Sequence, residues 1–91
     1  MLKNEDRPAT RTPDIHGAFV RRADLSGASL RGANMADADA TNAILRNVDF
    51  EGASLRGTIL RGADLTGAKN LTVEQLSEAV IDGRTNFAKI Y

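Results

Sequence analysis

The side chains able to do chemistry are few, and their spacing argues against catalysis. His16 is the single histidine in 91 residues, and there is no cysteine. Serines, a histidine and aspartates are all present, but no local pattern sets a hydroxyl, an imidazole and a carboxylate in the roles a nucleophilic triad requires. Without cysteine there are no disulfides and no thiolate metal ligands. Asp24, Asp39, Asp49 and Asp64 recur at intervals of five or its multiples. They read as outward repeat positions, where a carboxylate solubilises the chain and bonds locally, and not as the glycine-rich nonapeptides that bind calcium. The expectation is a chain that is not an enzyme, with no catalytic, cofactor or metal site. Arg21, Arg22, Arg46 and Arg61 could form an anion site or a docking site for an acidic partner. The plainer alternative is solvated faces with local ion pairs worth about 0–1 kcal/mol each.

The totals narrow the remaining classes. Twelve Lys and Arg balance twelve Asp and Glu, which argues against general nucleic-acid binding, since that needs a basic surplus. Hydrophobic residues make up 42% but aromatics only 4%, with no Trp, so a core must be built from small aliphatic side chains. The opening "MLKNEDRPATRTPD" lacks the apolar run of a signal peptide. No segment approaches the roughly 18 apolar residues needed to span a bilayer. These features predict a cytoplasmic protein with no membrane, nucleic-acid or small-molecule partner.

What must position any site is a repeat of five. In "ADLSGASLRGANM", residues 23–35, an alanine returns at every fifth place and Leu25, Leu30 and Met35 follow two residues later. Neither the helix period nor the strand period divides into five. The pattern runs over residues 17–70, with Val48 and Thr58 replacing alanine and Gly, Asn or Asp filling most turn positions. A short extended piece puts the alanine and the large apolar residue on one face, because side chains alternate. The last two residues of a block turn the corner, which suits Gly, Asn and Asp. If each block turns about a right angle, four close a coil of twenty residues, and coils stack at about 4.8 Å into a parallel β-helix of square section. Residues 1–16 are expected to be a flexible polar leader. In residues 71–91, Thr72 and Gln75 form a capping-box pattern that predicts a helix over 72–82. Its apolar face would be Val73, Leu76, Ala79 and Val80, with a tail beyond.

The blocks "ADLSG", "ADLTG", "ANMAD" and "ASLRG" resemble those of pentapeptide-repeat proteins, which read A-(D/N)-L-x-x. The resemblance implies an all-β solenoid, a right-handed quadrilateral parallel β-helix with a C-terminal α-helical cap. It also implies a structural or protein-binding scaffold. Some members mimic duplex DNA and bind a type II topoisomerase, but this chain has no acidic surplus and, over residues 17–70, under three coils. Three features depart from the pattern. Ala40 is small at a central position, which predicts underfilled core space. Val48 and Thr58 are bulky at the inner small site, which predicts a local bulge. Phe19, Ile44 and Ile59 occupy outward positions and, with Arg21 and Arg61, form a candidate interaction surface. Phe87, Ile90 and Tyr91 form a candidate assembly tail. A bare first coil leaves unpaired backbone groups, so a homodimer is favoured slightly over a self-plugged monomer.

Overall fold

The computed structural model describes residues 12–90. Every block of five makes the same corner. The Ala18 N–H donates to Ile15 O at 3.0 Å, Ala23 N–H to Val20 O at 3.1 Å, and the series continues to Ala68 N–H and Leu65 O at 2.9 Å. The third residue of each corner has a positive φ: Gly17 at 70°, Gly27 at 75°, Asp37 at 61°, Asn47 at 62°. A four-residue turn with φ above zero at its third place has the type II signature, which selects Gly and then Asn. Arg22, at φ 61°, and Lys89, at φ 60° in the last winding, are bulky cations forced into that conformation.

Four corners close a winding, and successive windings pair in parallel with a spacing of twenty residues. One column of bridges joins Asp14, Asn34 and Ser54, and a second joins Phe19, Asp39 and Ile59. A third joins Asp24, Ile44 and Asp64, and a fourth joins Ser29, Asp49 and Lys69. These columns are the four faces, here named by their first residue. The first bridge falls at Asp14, so the winding begins inside the segment expected to be a leader; the rest of that segment lies outside the described residues.

Inward positions fill an apolar core. Met35, Ala40, Leu45 and Phe50 form one rung and are completely buried, as are Leu55, Leu60 and Leu65 in the next. Val48 and Thr58 are both fully buried at the small inner site; the corner bond at Val48, Val48 N–H to Leu45 O, is 3.3 Å, the longest of the series, while Thr58 N–H to Leu55 O keeps 3.1 Å. The Thr58 hydroxyl is satisfied by donating to Met35 O at 2.7 Å, which removes the cost of burying it.

The solenoid continues beyond residue 70, contrary to the sequence boundary. Asn70 stands at a central position with φ 58° and turns out, and Leu71 is buried instead. This one-residue slip leads into helix α1, Val73–Glu78, which replaces the Asp14 face in the fourth winding. The Val80 strand position then pairs with Ile59 and Asn86 with Asp64. The helix is shorter than predicted because Val80 belongs to the ladder. Val73 is 83% exposed and contributes nothing to the core, while Leu76 and Ala79 pack against it. Gln75 fastens α1 to the stack. Its Oε1 accepts from Thr72 N–H at 2.8 Å, and its Nε2 donates to Phe50 O at 2.8 Å and Ala53 O at 2.9 Å. Ser54 N–H donates to Ala33 O. By that register Ala53 O would receive the N–H of residue 74, which the helix withdraws. The amide of Gln75 stands in for the missing winding. In the candidate assembly tail, Phe87 and Ile90 are half-buried against the core. Tyr91 lies outside the described residues.

Candidate interaction surface

The outer surface is organised by one local bond. Where the outward residue is Asp or Asn, its Oδ1 accepts the N–H two residues on. Asp24 takes Ser26 N–H at 3.0 Å, Asn34 takes Ala36, Asp39 takes Thr41, Asp49 takes Glu51 and Asp64 takes Thr66. These Asx contacts fix the entry to each corner, which is the physical reason for Asp or Asn in the motif. They also hold the carboxylates ionised. Hydroxyl donation from Ser26, Thr41 and Thr66 pulls Asp24, Asp39 and Asp64 below the usual carboxylate range. The Asn70 amide does most to lower Asp49, to about 2, with Glu51 N–H and Arg31 adding to it.

Phe19, Ser29, Ile44, Ser54 and Ile59 make no such contact, and each is followed two residues later by arginine: Arg21, Arg31, Arg46, Arg56 and Arg61. Three of these reach the carboxylate eighteen residues ahead, on the winding above. Arg21 pairs with Asp39 at 3.7 Å, Arg31 with Asp49 at 3.1 Å and Arg46 with Asp64 at 3.8 Å; Arg31 also meets Glu51 at 2.7 Å. The same rule sends Arg56 towards residue 74, which helix α1 displaces, and, because Ile59 pairs with Val80 across the slip, sends Arg61 towards Val80, which carries no carboxylate. Neither arginine has a carboxylate within 4 Å among the described residues, although Arg61 is close enough to help lower Asp39.

The sequence-predicted surface is therefore divided. Ile59 and Arg61 sit together on the third winding of the Phe19 face. Arg56, which sequence reasoning missed, flanks Ile59 from the other corner. Its signal was the spacing of eighteen, readable once the coil period is known. Phe19, 85% exposed, and Arg21 lie two windings away, across Asp39. Ile44 is on the neighbouring face between Asp24 and Asp64, apart from both. The four arginines expected to gather an anion do not act together: Arg21 and Arg46 are already paired with aspartates. Among the described residues, no group of three or more His, Asp or Glu is placed to hold a metal ion, and no helix is long and apolar enough to cross a membrane.

A four-faced parallel coil with a hydrogen-bonded corner of positive φ every fifth residue defines a β-solenoid of the pentapeptide type. The chain belongs to the pentapeptide-repeat family, whose repeats match residues 14–47 and 33–69 in eight copies. Members fold as right-handed quadrilateral β-helices and are generally non-catalytic structural repeat proteins. The chain is similar to the crystal structure of the pentapeptide-repeat protein Rfr23 from the cyanobacterium Cyanothece 51142. The two share 28% identity with a TM-score of 0.71, over 81% of this chain and 50% of that one. The chain thus spans half the length of that relative. A second similarity is to alr5209, a pentapeptide-repeat protein from Nostoc Pcc 7120, at 25% identity over 85% of this chain and 75% of that one, with a TM-score of 0.37. No protein of curated function matches the chain.

Proposed function

We propose that the chain is a non-enzymatic scaffold that binds a protein partner in the cytoplasm, with Arg56, Ile59 and Arg61 as the contact. The observation that carries this reading is the break in the ion-pair rule. Each earlier arginine of the series has a carboxylate on the winding above; helix α1 displaces Glu74 from Arg56, and the winding above Arg61 offers an apolar residue instead. Two guanidiniums without a carboxylate within 4 Å among the described residues then bracket an outward isoleucine that gives up the Asx contact, a bond worth about 1 kcal/mol. An acidic segment with one apolar side chain fits that arrangement, because carboxylates complete both arginines while the apolar group covers Ile59. Helix α1 and the partial fourth winding serve as the C-terminal cap, anchored by Gln75 and by Leu76 and Ala79 on the core. The test is site-specific photo-crosslinking in host cells, with the crosslinker at Ile59 and, as control, at Ser29. A distinct adduct from position 59 that is lost on Arg56→Glu with Arg61→Glu supports the reading. Identical adducts from both positions, or adducts indifferent to the arginines, refute it.

A further inference from the structure

We propose that the open edge of the first winding docks a second copy of this chain. The two copies are related by a two-fold axis that is perpendicular to the solenoid and passes through the Phe19 face. The proposal shares with the scaffold reading only the view of the chain as an interaction module, and it uses the opposite end of the rod.

Within the stack, each bridging residue turns both of its backbone groups towards the preceding winding. Asn34 N–H donates to Pro13 O at 2.9 Å and Asn34 O accepts from Ile15 N–H at 2.9 Å. Asp39 does the same with Ala18 and Val20, and Asp49 with Ala28 and Leu30. The same geometry aims the N–H and C=O of Asp14, Phe19, Asp24 and Ser29 out of the N-terminal end, with no backbone partner among the described residues. An unpaired edge of this kind is a template for another chain. One residue offering both groups is half of the closely spaced pair of an antiparallel ladder, and a two-fold axis perpendicular to the solenoid supplies antiparallel strands. The rung behind this edge is also unfinished. Ile15, Val20 and Leu25 are only partly buried, whereas their counterparts in the next winding are completely buried.

The side chains select the axis. A two-fold axis through the Phe19 and Ser29 faces sets Phe19 against Phe19 of the second copy, an aromatic cross-strand pair, and Ser29 against Ser29. It brings Asp14 towards Asp24 of the second copy and lays the corner bearing Arg22 beside them. Arg22 has no carboxylate within 4 Å among the described residues, so it offsets one of the two carboxylates at that contact, and symmetry repeats the arrangement. An axis through the other two faces would oppose Asp14 to Asp14 and Asp24 to Asp24. Axes through the corners would set Phe19 against an aspartate. Upstream, the five-residue register would put Pro8 at the small inner site and Thr10 and Glu5 at central ones. An unpaired carboxylate is costly to bury, so the chain's own preceding residues are poor material for another winding.

The experiment combines sedimentation velocity of the full chain, from low micromolar to near-millimolar, with amide exchange at Phe19, Asp24 and Ser29. The expected result is a monomer–dimer equilibrium, with those amides protected at high concentration and exposed on dilution. Phe19→Asp should abolish the dimer, and Arg22→Asp should weaken it at least tenfold. Adding Asp14→Arg to Arg22→Asp should restore it. A monomer at every concentration overturns the proposal and leaves the Arg56–Arg61 contact standing. Protection that ignores concentration shows that the chain covers its own edge, and a dimer indifferent to Phe19→Asp places the interface elsewhere; either result also overturns it.

Discussion

Ala40 and Phe50 make one quantity testable, the filling of a rung. Ala40 lies on the Phe19 face and Phe50 on the Ser29 face of the same winding, so they project from opposite walls, and both are completely buried. Alanine and phenylalanine together carry the same number of side-chain carbons as two leucines. Leu60 and Leu71 are that pair one winding on. By that count the ring of Phe50 supplies the volume Ala40 lacks, and the two substitutions test this against an underfilled site. Ala40→Leu alone should overpack the rung and cost about 1–3 kcal/mol. Phe50→Leu alone should open a cavity and cost roughly 1–3 kcal/mol, less than full truncation to alanine. The double variant conserves volume and should return to within about 1 kcal/mol of the parent. Thermal and urea unfolding followed by circular dichroism read the cycle, at roughly 4–8 °C of melting temperature per kcal/mol for a chain of this size. Additive losses in the double variant, or an unchanged melting temperature for Ala40→Leu, would refute the compensation.

Three other outcomes follow from features already described. Gln75→Glu keeps the acceptor of the capping box but loses both donors to Phe50 O and Ala53 O. It should cost about 2–3 kcal/mol in urea unfolding; a neutral result would mean that the amide anchors nothing. Gly57→Ala puts a Cβ against Asp37 Oδ1 at a residue with φ +68°, and should lower stability by about 1–3 kcal/mol through clash and backbone strain. Asp37→Gly in the same chain should recover the part due to the clash, and a full loss in that pair would assign the effect to φ alone. Asp49 titrates at about 2 in the fold, below its ordinary value. Its contribution to stability is therefore present above the unfolded carboxylate range and disappears as pH falls from about 4 towards 2. Carboxyl NMR should find that midpoint, and Asn70→Ala should raise it; a midpoint near 4 in the parent would contradict the assigned hydrogen bonds.

Much of this architecture was written in the alternation of small and large apolar residues. Ala23 and Leu25, two apart and both inward, fix a strand of minimal length, and Gly27 fixes the corner after it. The family's square coil was legible from those residue types because each has a single physical use at its place. The last winding was hidden by two slips in register. Asn70 pushes out one residue, and the stretch from Ala79 to Arg84 carries one more than a block, so Thr85-Asn86-Phe87 no longer falls on the fivefold count. The start of α1 was readable from Thr72 and Gln75. Its end was not, because Ala79 and Val80 suit a helical face and a ladder position equally well, and only the vacancy above Thr58 and Leu60 decides between them. The surface was less legible still, since the pairing of Arg21 with Asp39 depends on which winding lies above which.

The constant separation of twenty residues between bridging partners also sets how the chain folds. No bridge can form until about twenty residues are closed into a loop, and each such closure carries nearly the same entropic penalty, about (3/2)RT ln n plus a constant. A single winding has no ladder, so the barrier is the ordering of two windings together, and every later winding adds its own bonds to a finished template. Contacts this distant place the chain among slow folders for its size. The interior windings, sealed on both sides, then form the nucleus. Damage to the rung of Ala40 and Phe50 should slow folding, whereas loss of the Gln75 anchor should mainly speed unfolding.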